Sequence, residues 1–222
     1  MKKFITVVPL QQVEKNKETG EIIRDGLSKS IYKPVGNENL AYSKETRFPI
    51  LTAINGYASA NEEIRIIAIQ MDTDSCREHT RQLREEITAL KREKNFICND
   101  IEVVAIDYRS DVEAQIDLFS RLLDYFDDDD RIYGCLTYGV KPISIAELMA
   151  IQYAYRVLNN VSIECLVYGD DNHNRQNREF YVYDITSLII MDEMVRILAD
   201  KKVKNPKSFI ENVINMRKEN EK

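Results

Sequence analysis

Short apolar runs alternate along most of this chain with segments of helical periodicity. The runs that fit strands are Phe4–Val8, Ile64–Ile69, Ile101–Ile106, Ile132–Leu136, Val161–Val167 and Phe180–Ile185. The helical segments are Thr46–Ala58, Ser75–Glu93, Asp111–Phe126, Ile143–Leu158 and Thr186–Leu198. Strands that are apolar throughout are buried on both faces, which is typical of a parallel sheet covered by helices. The pattern predicts an α/β fold with a Rossmann-like, mainly parallel sheet and helices on both faces.

Two segments depart from this alternation. A polar insertion at about residues 11–44 separates the first strand from the first helix. Its Glu18–Glu21 turn, with Val13 before it and Ile22 after it, predicts a short hairpin or flap. A tail helix is predicted from Pro206 to Lys218. Because the sequence shows no internal repeat and no long linker, we expect one domain over residues 1–200 and a helical tail over residues 201–222.

Composition limits the class of protein. A chain of 222 residues that is 44% hydrophobic and 31% charged is typical of a globular protein. No apolar run is long enough to span a bilayer, so no membrane segment is expected in this chain. The net charge of −6 argues against general coating of DNA or RNA. A small anionic ligand in an enclosed pocket is still allowed, because local charge decides its binding.

The four cysteines indicate a reducing compartment. Cys76, Cys98, Cys135 and Cys165 show no CxxC spacing. Cys135 and Cys165 lie in apolar strand patterns, where buried thiols are expected. We therefore expect a cytoplasmic protein with no zinc site and no cofactor.

Residues 137–142 form a corner between the fourth predicted strand and the helix that follows it. Glycine at position 139 lets the backbone approach a ligand closely, and Pro142 suits the first turn of a helix. The free N–H groups of that turn, with Lys141 beside them, predict a phosphate site. Many similar turns bind nothing, and Lys141 as a solvated lysine at a helix start is the alternative.

Other polar residues favour structural roles. Asp127–Asp130 is expected to be a solvated turn and not a cation site. Asp72 and Asp74 either grip a ribose hydroxyl, activate water or cap the helix near Ser75, and capping is favoured. Arg47 is expected to anchor the first helix by an ion pair. His173, in a polar loop, is expected to be exposed and without a role.

Three stretches resemble the CRISPR-associated Rossmann fold (CARF) proteins in order and spacing. They are Glu45–Ile50, Leu136–Ala154, and Tyr168-Gly169 followed by Tyr183–Thr186. From the first stretch to the last they span most of the chain, residues 45–186. The resemblance implies a homodimer that binds cyclic oligoadenylates, the second messengers of type III CRISPR defence. A two-fold dimer presents the same half-site twice, which suits a ring with repeated phosphates and bases.

The resemblance also implies a ligand site at the carboxyl ends of the strands, where such sheets bind nucleotides. Gly139 and Lys141 would meet phosphate, and Thr137 and Ser144 would donate hydrogen bonds to it. Gln11 and Gln12 would reach riboses or base edges. Tyr138 replaces a frequent histidine of the family, and Asp107–Arg109 ends a further strand at this edge. The candidate ligand-binding residues are Leu10, Gln11, Gln12, Asp72, Thr73, Thr137, Tyr138, Gly139, Val140, Lys141 and Ser144.

The resemblance therefore implies a cyclic oligoadenylate sensor, for cyclic tetra-adenylate first, that controls an attached or associated effector in antiviral defence. The alternative is a ring nuclease, in which a ribose 2′-hydroxyl attacks its neighbouring phosphate without a metal ion and Lys141 stabilises the charge. Neither His79 nor His173 has the arginine of a HEPN nuclease motif before it. No catalytic residue is assigned. A third hypothesis is an unrelated nucleotide-binding or interaction domain of Rossmann-like fold.

Overall fold

The computed structural model describes residues 1–16, 18–107, 109, 111–174 and 176–220, with only the backbone for 216–220. Tyr108, which the sequence placed at a strand end, lies outside the described residues. The chain divides into two compact units, Met1–Asp184 and a second that begins at Ile185. Each unit is described by itself below.

The first unit is built on a sheet with seven strands in the described part of the chain, in the order β4-β9-β8-β7-β1-β5-β6. A separate two-stranded hairpin pairs β2 with β3. All neighbours in the main sheet are parallel except β8 and β9. The strands are β1 (Lys2–Val7), β2 (Val13–Lys15), β3 (Ile22–Asp25), β4 (Tyr32–Val35), β5 (Ile64–Met71), β6 (Glu102–Ile106), β7 (Arg131–Cys135), β8 (Ser162–Asp171) and β9 (Phe180–Asp184).

Four helices connect the parallel strands of the first unit, namely α1 (Ile50–Tyr57), α2 (Asp74–Lys94), α3 (Val112–Leu123) and α4 (Lys141–Val157). They cover both faces of the sheet. Adjacent residues of β7 show this, because successive side chains of a strand point to opposite faces. The Tyr133 ring lies 4.9 Å from that of Tyr57 in α1, whereas a Cβ at Gly134 would meet Ile151 of α4.

The order in which successive strands are added to the sheet reverses between β1 and β7, which are themselves parallel. From β1 the chain moves outward through β5 to β6, then returns to β7 on the other side of β1 and continues to β8. The carboxyl ends of β1 and β7 therefore flank the topological switch point, where open α/β sheets form their ligand crevice. The predicted Rossmann-like α/β fold is confirmed.

Three local differences from the sequence prediction have physical reasons. Tyr32–Val35 was not predicted as a strand of the main sheet, since it is short and contains Pro34, which sheets tolerate only at edges. Helix α1 begins at Ile50 and not at Thr46, because Thr46 pairs with Ser30 in a β-bridge. The β8 strand continues to Asp171, four residues beyond the apolar run Val161–Val167 that predicted it, because polar residues can also continue the pairing with β9.

The predicted hairpin in the insertion is confirmed, and hydrogen bonds and an ion pair connect it to α2. The Val13 N–H donates to Ser75 Oγ at 3.1 Å, and Lys15 Nζ lies 2.5 Å from Glu78 Oε2. Gln82 donates to the Asp25 carboxylate at 2.9 Å. Any closure of this hairpin over a ligand would have to break or carry along these contacts.

The second unit contains α5 (Ser187–Asp200) and α6 (Pro206–Asn220). An ion pair of Arg196 with Glu193 and another with Asp200 stabilise α5 along one side. Among the described helices, none combines the length and apolar character needed to cross a membrane.

Candidate functional site

The corner after β7 has the backbone geometry of an anion site. Gly139 adopts φ +93°, and a Cβ there would lie 2.7 Å from Val7 Cγ1 of β1, so glycine is required on both grounds. Helix α4 begins at Lys141 with Val140 as its N-cap and with no side-chain cap. Within the described residues, the N–H groups of Gly139, Val140 and Lys141 have no backbone partner. The corner therefore presents unpaired donors at a helix N-terminus.

Lys141 lies exposed at this helix start. Its ammonium forms no ion pair with any residue that the structure describes, although many of the other cationic side chains do. The dipole of α4 is unfavourable to a cation at this end. An anion bound at the corner would relieve that repulsion.

A cleft of about 250 Å³ opens beside the corner, at the carboxyl ends of β7 and β8. Three predicted residues, Gln11, Thr137 and Tyr138, line it together. The remaining lining comes from the insertion, from β8 and β9, and from the loop between these two strands. It comprises Gly26, Leu27, Ser28, Tyr32, Tyr168, Gly169, Asp170, Asp171, Arg178 and Phe180. The cleft thus combines aromatic side chains with a few charged and amide groups, as nucleotide sites commonly do.

Hydrogen bonds position the β7 corner residues at this cleft. Thr137 Oγ1 accepts a hydrogen bond from the Gly169 N–H at 2.8 Å. The Tyr138 hydroxyl donates to the Arg47 carbonyl at 2.7 Å, and burial raises the pKa of Tyr138. Ser144 donates its hydroxyl to the Tyr138 carbonyl at 3.1 Å, so in this structure that hydrogen is not directed at a ligand.

A buried histidine, to which the sequence analysis assigned no role, contacts the segment that carries Gln11. His79 is fully buried in α2. Its Nδ1 lies 3.0 Å from the Pro9 carbonyl oxygen, and its Nε2 lies 3.3 Å from Asp25 Oδ1. The Gly26 N–H donates to the Gln12 carbonyl at 2.9 Å. His79 therefore joins the chain that leaves β1 to the end of the hairpin.

Asp25 is the centre of these contacts. Burial would raise the pKa of Asp25, but hydrogen bonds from the Leu27 N–H, Gln82 and His79 outweigh it and lower the pKa below its usual value. Arg47 Nε lies 3.3 Å from Asp25 Oδ2, and its Nη1 lies 3.2 Å from Glu86 Oε1. The expected anchoring role of Arg47 agrees with these ion pairs.

At the far side of the cleft, Arg178 is fixed in place. It donates to Asp171 Oδ2 from Nε at 2.8 Å and from Nη2 at 2.5 Å, and its guanidinium lies 4.9 Å from the Phe180 ring centroid. The hydrogen bond from Arg178 is the main cause of a lowered pKa of Asp171. Carboxylates of Asp170 and Asp171 at this side suit hydrogen-bond donors of a ligand, such as amines and ribose hydroxyls, better than its phosphates.

The other predicted residues do not line this cleft. Val140 lines a separate cavity of about 240 Å³ with Pro142, Asp107 and Arg109, so the corner lies between two cavities. Thr73 caps α2 by accepting from the Cys76 N–H, and Asp72 pairs with Arg77. Leu10 is half-buried and Gln12 is exposed in the chain between β1 and the hairpin.

A buried carboxyl in α4 was also missed. Glu147 is fully buried, and neither of its oxygens has a hydrogen-bond partner of normal geometry in the part of the chain that the structure describes. Burial raises the pKa of Glu147 well above its usual value, and a contact with the Cys135 backbone offsets this only in part. The periodicity of α4 could have predicted the burial of Glu147, because Ile143, Glu147 and Ile151 share one helical face.

All four cysteines are buried thiols, and none forms a disulfide with another described residue. Among the described residues no group of three or more histidine, cysteine and carboxylate side chains is placed to hold a metal ion. Comparison with known proteins gives no assignment: no protein-family model matches the chain, and no curated protein matches it.

Proposed function

We propose that this protein binds a cyclic oligoadenylate, cyclic tetra-adenylate first, across a homodimer and controls an attached or associated effector of type III CRISPR defence in the cytoplasm. The proposal rests on the resemblance of the sequence to CARF proteins. The observation that supports it best is the meeting of Gln11, Thr137 and Tyr138 in one cleft, directly beside the unpaired N–H groups of residues 139–141.

The two parts of the site suit different parts of a nucleotide. The corner offers N–H donors and the Lys141 ammonium, which suit a phosphate. The cleft offers aromatic side chains, the Gln11 amide and two carboxylates, which suit a base and a ribose. A ligand that spans both parts must carry base, sugar and phosphate close together, as an adenylate does.

The volume of the cleft supports a shared site. About 250 Å³ is less than the 300–1,000 Å³ of a typical pocket for a small organic ligand. One chain therefore encloses only part of a ring of several adenylates. Two copies related by a two-fold axis would present two clefts and two corners to one ring.

Calorimetric titration with rings of three, four and six adenylates tests the proposal. We expect the wild type to bind the ring of four most tightly. Lys141→Ala should weaken binding by about 10- to 150-fold, because a hydrogen bond to a charged group contributes about 1.5–3 kcal/mol. Lys94→Ala is the matched control, since it removes the same charge from the last turn of α2, at the opposite edge of the sheet. Absence of heat with every ring, or equal loss in both variants, would reject the site.

A further inference from the structure

Both ring nitrogens of the buried His79 face oxygen atoms. Nδ1 lies 3.0 Å from the carbonyl oxygen of Pro9, just after β1, and Nε2 lies 3.3 Å from Asp25 Oδ1, at the end of the hairpin. A peptide carbonyl can only accept a hydrogen bond. Burial would raise the pKa of Asp25, but its hydrogen bonds outweigh burial and lower that pKa, so the ionised carboxylate can also only accept.

Two acceptors around one imidazole require two N–H groups. A neutral imidazole has a single N–H, so it would satisfy one oxygen and direct a lone pair at the other. The imidazolium has an N–H on each nitrogen and satisfies both oxygens. The geometry around His79 is therefore that of the protonated ring.

Charged groups around His79 favour this state. Asp25 is the direct counter-ion of the ring. The Asp25 carboxylate also lies 3.3 Å from Arg47 Nε, and Arg47 in turn pairs with Glu86 of α2. Because a buried charge is tolerated only beside such a partner, the proton of His79 and the position of Asp25 depend on each other.

Loss of the ring proton would weaken the contact with Pro9. A hydrogen bond to an ionised acceptor is about twice as strong as one between neutral groups, so the neutral ring would keep its N–H for Asp25. The Nδ1 lone pair would then face the Pro9 carbonyl oxygen. The Cys76 thiol also donates to this oxygen at 3.3 Å, and burial raises the pKa of Cys76, so the thiol stays neutral; a neutral thiol is a weak donor.

We propose that His79 is a proton-dependent switch between the chain that leaves β1 and the hairpin. As an imidazolium it holds the two segments together, and the Gly26 N–H donates to the Gln12 carbonyl at 2.9 Å. When pH rises and the ring becomes neutral, residues 9–12 separate from the hairpin end. Because Gln11 and Gly26 line the cleft from these two segments, the switch changes the width of the cleft, whatever ligand binds there.

Nitrogen-15 NMR of the histidine rings, from about pH 5 to pH 9, tests the protonation state directly. The chain contains two histidines, and His173→Gln assigns the two sets of signals. Both ring nitrogens of His79 should carry a proton at the acid end of the series, and Nδ1 should lose its proton as pH rises. A ring with one N–H at the acid end, or with both N–H groups at the alkaline end, overturns the proposal.

Hydrogen exchange, expressed as protection factors that remove the intrinsic dependence on pH, measures the consequence for the chain. Protection of the Gly26 N–H should fall by about tenfold or more as His79 loses its proton, the equivalent of one hydrogen bond to a charged group. The Asp72 N–H, which donates to the Ile106 carbonyl at the end of β6, is the reference and should show no step at that pH. Gly26 protection that stays constant while the His79 ring titrates overturns the proposal.

Asp25→Asn distinguishes the switch from a merely structural histidine. Without its counter-ion the imidazolium is less stable, so His79 should lose its proton, and Gly26 its protection, at a lower pH than in the wild type. Glu14→Gln, at an exposed carboxylate of β2, is the control and should leave both transitions where they are. Transitions at the wild-type pH in Asp25→Asn would reject the pair. The wild-type measurements decide the matter even if this variant does not fold, and none of them uses a ligand, so their outcome is independent of the proposed function.

Discussion

The Glu147 carboxyl predicts an unusual dependence of stability on pH. In the folded chain this side chain is completely buried, and no described residue gives its oxygens a hydrogen bond of normal geometry. Burial raises its pKa well above 4.5, and a contact with the Cys135 backbone offsets this only in part. In the unfolded chain the carboxyl ionises at its ordinary pKa. Above pH 4.5 the folded state therefore binds more protons than the unfolded state, and the free energy of unfolding falls as pH rises.

The size of this effect follows from proton linkage. As long as Glu147 stays protonated in the folded state, each pH unit above about 4.5 lowers the free energy of unfolding by about 1.4 kcal/mol. Glu147→Gln keeps a neutral polar group of similar shape but does not titrate. We expect the variant to become progressively more stable relative to the wild type by about 1.4 kcal/mol per pH unit, until the wild-type carboxyl ionises.

Urea unfolding of both proteins at half-unit steps from pH 4.5 to 7.5 measures the difference. Glu113→Gln, at a carboxylate whose side chain is 91% exposed, is the control and should give a difference that hardly changes with pH. A difference between wild type and Glu147→Gln that stays constant over the whole series would show that Glu147 does not stay protonated in the folded chain.

Two further predictions concern the site. Gly139→Ala should lower the free energy of unfolding by about 1–3 kcal/mol because of its φ of +93°, and by more because of the contact with Val7. Gly36→Ala, at φ +78° with open space around it, is the control and should show the backbone cost alone. Equal losses in urea unfolding would contradict the predicted contact. Asp25→Asn should lower stability at pH 7 by about 1–3 kcal/mol, because three hydrogen bonds favour the ionised carboxylate. Since the folded pKa of Asp25 is lowered, its contribution is present above about pH 3.8 and is lost as pH falls through the folded pKa, so a deficit in the variant that persists undiminished at pH 2.5 would argue against this role.

Local sequence patterns predicted the helices and strands of this fold, but they did not predict contacts between distant segments. The run Ile132–Leu136 and the periodicity after Ile143 are properties of neighbouring residues, and both elements formed where they were expected. The contact between His79 and Asp25 joins residues that lie 54 positions apart, and no pattern near either residue indicates the other.

The candidate site divides in the same way. The corner at Gly139 could be predicted, because a glycine between a strand and a helix has a defined backbone role. The cleft beside it depends on β9 and on the insertion, which come together only in the folded sheet. His173 was expected to lie exposed in a polar loop, and its side chain is 80% exposed. Its contact with Asp171 depends on β8 continuing to that residue, beyond the apolar run that ends at Val167.

Native mass spectrometry with cyclic tetra-adenylate tests whether two chains share one ligand, because it counts chains and rings in one particle. We expect a species of two chains and one ring, which disappears when Lys141→Ala is mixed with the same ligand at low concentration. A spectrum with one chain per ring, or with chains that carry no ring at any concentration, would contradict it.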